Sequence, residues 1–282
     1  MHEVLLSVAP VSGTPHLIDP AAIAEDVCAC YEAGAAMVHL HVRDENGALT
    51  PDLSLLAETV RRIREQCDIV IEISTGGVSN LSIEERCAPC TPDWVEANSL
   101  NVGSVNLGDA VYCNPIQDVR YCVDQILKNR KVPEIEVFEL GMIHTVSELM
   151  KEYDFPKPVL FALVFGHPGE MPATPAALRH MLDFLAETFT PEALPKKEIL
   201  WGYTQAHRED WEMMRHALSL GADSLRVGFE DSDILAPGVR TDRNAPIVQK
   251  AAQLIREAGA DVMTSTRARE ILGIRAGQRG VN

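Results

Sequence analysis

Short apolar, β-branched runs recur along the chain, and segments with three- and four-residue apolar spacing separate them. The runs cover residues 5–11, 38–43, 69–75, 102–107, 135–140, 159–165, 199–204 and 224–229, each of strand length. Between them, residues 20–33, 53–67, 115–129, 145–152, 174–188 and 209–220 read as amphipathic helices. Several open with a capping residue or a first-turn proline: Asp19-Pro20, Thr50-Pro51-Asp52, Asn114-Pro115 and Thr174-Pro175. Gly34 and Gly221 fall just past helix ends, where left-handed backbone is wanted.

Strand–helix alternation implies parallel pairing, because a helical crossover returns the chain to the same sheet edge. Eight such units predict an α/β fold, a (β/α)8 TIM barrel built as one catalytic domain over residues 1–282. The alternative is an open doubly wound sheet, which calls for Gly-x-Gly-x-x-Gly after the first strand. Gly76-Gly77 and Gly166-His167-Pro168-Gly169 are too short to supply it. The 282 residues, 46% of them hydrophobic, suffice for one large core, and no Ser/Gly tract or repeat marks a linker.

Charge narrows the partners. A formal net charge of −16 repels phosphate backbones and anionic lipid, which argues against nucleic-acid and membrane roles. An anionic substrate would need local positive charge. The start, Met1-His2-Glu3-Val4-Leu5-Leu6, has no basic leader, and no segment reaches the roughly 20 apolar residues of a membrane span, so a cytoplasmic protein is expected. Seven cysteines in such a chain are expected to be reduced. Cys28-Ala29-Cys30 reads as helix core, and Cys87-Ala88-Pro89-Cys90 lacks the matching pair that a four-thiolate zinc site requires.

In a barrel, reactive groups belong at the C-terminal tips of the strands. The second run ends His39-Leu40-His41-Val42-Arg43, and alternation points both imidazoles to one side, about 6.5–7 Å apart at Cα. Such a pair can chelate a borderline cation such as Zn²⁺, or simply be satisfied by neighbouring carbonyls. The eighth run ends Arg226-Val227-Gly228-Phe229-Glu230-Asp231, with Arg226, Gly228 and Glu230 of one parity. Strands eight, one and two become neighbours on closure, so Glu230 can supply a third, anionic ligand and leave one coordination position open. Arg226 and Asp231 suit an acid–base couple, or a plain rim ion pair.

Ser74-Thr75-Gly76-Gly77 offers hydroxyl and backbone donors to a carboxylate or carbonyl oxygen, or forms an ordinary capped turn. The fourth run is small and polar, with Ser104 and Asn106. The fifth places Glu139 at its tip, with Glu136 suited to an internal ion pair. The long sixth loop carries His167, a candidate acid, base or ligand. His144 and His207 read as rim polar residues.

Taken in order, these tips resemble the β-keto acid cleavage enzyme family, whose named type is 3-keto-5-aminohexanoate cleavage enzyme. The motifs that match are His39-Leu-His41-Val-Arg43, Ile73-Ser-Thr-Gly-Gly77, Gly103-Ser-Val-Asn-Leu-Gly108, Glu134-x-Glu136-Val-x-Glu139-x-Gly141-Met142 and Arg226-Val-Gly-Phe-Glu230-Asp231. The closing segment Thr266-Arg-Ala-Arg-Glu-Ile-Leu272 matches as well. The resemblance implies a Zn²⁺-dependent, acetyl-CoA-using enzyme that turns a β-keto acid into acetoacetate and a new acyl-CoA. It implies His39, His41 and Glu230 as metal ligands, and Ser74, Thr75 and Gly77 as holders of the keto acid. Ser104 stands where the family often has Thr, and Arg226 and Asp231 match the base-forming couple. It further implies a homo-oligomer, as a tetramer. Thr14 falls where the aminohexanoate-cleaving type has a glutamate, and a neutral hydroxyl gives an ammonium no charge partner. The amino-keto acid is therefore not the expected substrate. Other chemistries on the same barrel are a metal-dependent aldolase, an amidohydrolase or a non-catalytic metal-binding protein.

Overall fold

Parallel strands that alternate with helices satisfy every sheet edge only by closing on themselves, and this chain closes. The computed structural model describes residues 2–13, 17–190, 195 and 198–274. The strands are β1 (Glu3–Val8), β2 (Met37–Leu40), β3 (Val70–Ile73), β4 (Ala97–Asn101), β5 (Val105–Leu107), β6 (Ala110–Tyr112), β7 (Val132–Val137), β8 (Val159–Phe165), β9 (Ile199–Gln205) and β10 (Ser224–Val227). After them come β11 (Ile234–Ala236), β12 (Val239–Arg240) and β13 (Asp261–Val262). Strands β1–β4 and β7–β10 form a parallel ring in chain order, sealed where Leu5–Val8 of β1 align with Ser224–Val227 of β10. This is a TIM barrel; the β1–β10 closure excludes the open sheet.

The helices are α1 (Pro20–Ala33), α2 (Ser54–Arg64), α3 (Ile83–Arg86), α4 (Ile116–Lys128), α5 (Leu140–Glu152), α6 (Pro175–Thr188), α7 (Glu212–Ser219), α8 (Asn244–Glu257) and α9 (Ser265–Leu272). Local chemistry sets their ends. Asp19 caps α1 by accepting the backbone N–H of Ala21 at 2.9 Å, Pro20 takes the first turn, and Gly34 ends the helix at φ 118°. Thr174 and Pro175 open α6 in the same way. The helix expected over 145–152 starts earlier, at Leu140, directly after Glu139.

One strand lies elsewhere than its hydrophobicity predicts. The fourth barrel strand is Ala97–Asn101, not residues 102–107. Asn98, Ser99 and Asn101 are polar yet buried, and the barrel satisfies the two amides in part: Asn98 donates to the Ile73 carbonyl at 2.9 Å, and the Asn101 side chain accepts Gly103 N–H at 3.0 Å, while Asn98 Oδ1 and Asn101 Nδ2 have no partner among the described residues. The apolar run at 105–107 instead pairs antiparallel with Ala110–Tyr112 as a hairpin at the barrel mouth. Ser104 and Asn106 therefore sit on that hairpin, not on a barrel strand.

The barrel interior has two tiers. Its floor is apolar, made by Leu5, Met37, Val70, Ala97, Val132 and Leu160, and α9 plugs it from below with Ala268 and Leu272. Two residues up, six of the eight barrel strands turn polar or charged: Ser7, His39, Glu72, Ser99, Glu134 and Arg226 are all buried, while β8 and β9 carry Ala162 and Gly202. A larger apolar layer packs between the outer strand faces and the helices. Charge is thus concentrated beneath the C-terminal mouth, where a barrel places its chemistry.

Candidate active site

Register sets the first pair. His39 of β2 aligns with Glu72 of β3, and its Nδ1 lies 2.5 Å from Glu72 Oε2. An N–H donated from Nδ1 to that carboxylate fixes the tautomer and leaves the Nε2 lone pair facing the mouth. There Nε2 lies 3.2 Å from His41 Nε2, the rings meeting edge to face.

Glu230 reaches the pair through a glycine. The eighth barrel strand stops at Val227, short of the predicted 229, and Gly228 takes φ 135°. A Cβ on Gly228 would lie 2.3 Å from the Ala9 carbonyl oxygen, so only glycine fits against β1. The chain then turns, with Ser232 N–H on the Gly228 carbonyl, and Glu230 N–H bonds to Ala9. The Glu230 carboxylate arrives 3.3 Å from His41 Nε2 and 3.7 Å from His39 Nε2.

The three donors fit a cation. A tetrahedral ion with ligand bonds of about 2.0–2.1 Å has ligand–ligand edges of about 3.3–3.4 Å. Separations of 3.2, 3.3 and 3.7 Å are close to that, and the donor set is the two-nitrogen, one-carboxylate type. Burial works against ionisation of Glu230, yet His41, His39 and Arg226 together hold its carboxyl well below the usual range.

Arg226 and Asp231 form a two-pronged pair, Nη2 to Oδ1 at 2.7 Å and Nε to Oδ2 at 3.2 Å. The same guanidinium lies 3.4 Å from Glu230 and 3.6 Å from Glu136. Burial pushes Glu136 up to about 7 against the pull of Arg226, Glu134 likewise to about 7, and Glu72 to about 8.

A cleft of about 460 Å³, counted to its open mouth, joins these groups. His41, Arg226, Glu230 and Asp231 line it, together with Ser74 and Gly77; Leu107, Tyr112, Phe138 and Val164 supply an apolar wall. Thr75 does not line it. Its hydroxyl donates to the Ser99 carbonyl at 2.8 Å, inside the barrel wall. Ser104 accepts Asn114 N–H at 2.8 Å, and Asn106 packs on Gly169, so neither reaches the cleft. Glu139 is half-buried before α5, outside the lining, and His144 is exposed on α5. Thr14 lies outside the described residues.

Sequence reading passed over two residues. Glu72 is a lone charge in the apolar run Val70-Ile71-Glu72-Ile73, which was its signal. Arg86 stands behind the Ser74–Gly77 turn. It donates to the Thr75 carbonyl at 3.1 Å and to Asn114 Oδ1 at 2.5 Å, and no carboxylate among the described residues lies within 4 Å of it. It had no signal, since its position depends on α3 folding under the turn.

The sequence pattern of the β-keto acid cleavage enzymes matches residues 8–274, nearly the whole chain. The chain belongs to the β-keto acid cleavage enzyme family. The 3-keto-5-aminohexanoate cleavage enzyme of Acetoanaerobium sticklandii is 33% identical over 256 residues, 89% of this chain and 89% of that one. The 3,5-dioxohexanoate:acetyl-CoA acetone transferase of Paraburkholderia graminis is 28% identical over 305 residues, 97% and 96% of the two chains. Among solved structures, apo ObcA matches with a TM-score of 0.70 at 21% identity over 91% of this chain, a likeness of fold. This chain spans 65% of the length of ObcA. This β-keto acid cleavage family member has no helix among its described residues long and apolar enough to cross a membrane. Its seven cysteines are free, and burial pushes the Cys28 thiol up to about 12, which makes it a poor nucleophile.

Proposed function

We propose that the protein converts a β-keto acid and acetyl-CoA into acetoacetate and a new acyl-CoA. The observation that carries this is the meeting, in one cleft, of a three-donor cation site with an Arg–Asp couple and a donor-rich turn. His39, His41 and Glu230 would hold a divalent cation, Zn²⁺ by the softness of two nitrogens and one carboxylate. Such a cation supplies Lewis-acid polarisation of the substrate's keto oxygen.

The chain's own residues do the rest. The Ser74 hydroxyl and the backbone donors of the Gly76–Gly77 turn hold the carboxylate, with the Arg86 cation behind them. Asp231, oriented by Arg226, takes a proton from C2 of the keto acid. C2 then attacks the acetyl carbonyl and the CoA thiolate leaves. The thiolate adds to C3, the C2–C3 bond breaks, and the proton on Asp231 returns to the acetoacetate carbon. Atoms balance without a serine or cysteine nucleophile. Acetyl-CoA as the second substrate follows the names of relatives such as the Paraburkholderia graminis transferase.

The test is a panel of β-keto acids incubated with acetyl-CoA and zinc-loaded protein, with acetoacetate measured. Production that requires both substrates is expected. Turnover unchanged when acetyl-CoA is omitted points to an aldolase and overturns this proposal.

A further inference from the structure

His167, on the loop after β8, also lines the cleft, which gathers the reactive side chains of the mouth. A second group of reactive side chains meets outside the barrel wall, near its other end. Cys28 of α1 and Cys67, which follows α2, bring their sulfurs to 3.0 Å. A disulfide bond is about 2.05 Å long, so about 1 Å of approach separates this contact from a bond. One backbone group anchors both residues: Cys67 N–H donates to the Ile63 carbonyl at 2.9 Å, and Cys28 Sγ lies 3.9 Å from the same oxygen. Cys28 is 9% exposed and Cys67 is half-buried, so solvent reaches the pair through Cys67.

The two sulfurs are not equivalent. Burial pushes both thiols up, Cys28 to about 12. At Cys67 three contacts oppose the rise: the Cys28 S–H, the Ile69 backbone N–H and the Arg64 guanidinium. Cys67 is therefore the sulfur better able to carry negative charge and to attack, because the thiolate is the nucleophile. Cys28 stands beside it as the second thiol, placed to close the bond.

Position fixes what a bond here does. Cys67 comes between the end of α2 at Arg64 and the start of β3 at Val70, at the N-terminal ends of the strands. The cleft lies at the opposite ends, so a bridge leaves it in place. The bond closes a loop over residues 28–67 that contains all of β2, with His39 and His41. Closing such a loop removes freedom from the unfolded chain. We propose that Cys28 and Cys67 form a peroxide-responsive dithiol site, whose disulfide secures the fold around β2. The Cys67 thiolate attacks one oxygen of hydrogen peroxide; the O–O bond breaks, and the leaving hydroxide takes up the thiol's proton as water. Cys67 is left as a sulfenic acid. Cys28 Sγ then attacks Cys67 Sγ, the S–O bond breaks, and hydroxide departs with the Cys28 proton as a second water. Two thiols are oxidised to one disulfide and one peroxide is reduced to two waters. No cleft residue takes part, so the site stands apart from the cleavage reading.

The experiment treats the full chain with hydrogen peroxide, alkylates the remaining thiols and weighs the peptides of a non-reducing digest. A peptide pair joined through Cys28 and Cys67 is expected, and dithiothreitol should release it. After removal of peroxide, the bridged protein should melt about 5–10 °C above the reduced protein, with the bound zinc of loaded protein unchanged. Cys28→Ala cannot close the bridge, so its Cys67 should remain a sulfenic acid that dimedone traps, and its melt should not rise. Exposed Cys113 reports that the peroxide has acted. Cys28 and Cys67 both recovered alkylated while Cys113 is oxidised overturns the inference, as does a bridge from either to another cysteine. A Cys28–Cys67 bridge that leaves the melt where it was overturns the stabilising role.

Discussion

Replacing Glu72 by Gln tests whether the buried carboxylate serves the cation site. In the folded chain it is 0% exposed and 2.5 Å from His39 Nδ1, on the side of the ring away from His41. Its effect on metal binding is therefore indirect: it orients the ring and raises the basicity of Nε2. Losing such an outer partner lowers metal affinity about 10–100-fold, about 1.4–2.7 kcal/mol. The apoprotein should respond differently. Burial has pushed Glu72 up to about 8, so the metal-free fold bears a group it would rather keep neutral, and an uncharged amide of the same shape relieves that. Zinc affinity, read by competition with a chromophoric chelator, should fall 10–100-fold, while the melting temperature of the chelator-treated variant stays within about 4 °C of wild type. Affinity unchanged from wild type refutes the reasoning. A collapse of the metal-free melt would instead make Glu72 a structural residue.

Three further outcomes follow from the same geometry. Asp231→Asn keeps the Arg226 contact but removes the proposed base, so kcat should fall about 10²–10⁴-fold with metal content by elemental analysis unchanged; parallel loss of metal contradicts the proposed role. Gly228→Ala puts a methyl 2.3 Å from the Ala9 oxygen at φ 135°, and should cost about 1–3 kcal/mol in a denaturant titration and weaken zinc binding as Glu230 is displaced. Burial raises Glu134 and Glu136 to about 7 and Glu72 to about 8 from 4.5, so the folded chain binds more protons than the unfolded chain between those values. Stability of the metal-free protein should therefore fall as pH rises from about 5 to 8. Glu230 is shifted the other way, so its stabilising share is lost only as pH falls below the usual carboxylate range. Thermal melts across pH check this, with Glu134→Gln expected to flatten the slope and a rise in stability over pH 5–8 contradicting it.

How legible the site was depended on how each residue reaches it. His39 lies on β2 and His41 one residue past its end at Leu40, so strand alternation across two neighbouring residues sufficed for the sequence to place them on one side. Glu230 was matched by parity along a strand expected to run to 229, but the strand stops at Val227 and a turn after Gly228 delivers the carboxylate. The fourth strand was displaced because Ala97–Asn101 is polar, and burial of Asn98 and Asn101 shows in no hydrophobic pattern.

Unaided, the sequence determined the alternation of strand and helix, and with it parallel pairing and a ring of eight, because periodicity and capping act within a few residues. It also identified the motifs that assign the family. Contacts between strands distant in the chain were the tertiary structure's to decide. These are the register that sets Glu72 behind His39, the closure of β10 on β1 that brings Glu230 to the imidazoles, and the hairpin and sixth loop that shape the cleft. Their energies come from desolvation and from charges meeting across long sequence separations, which no local window of residues records.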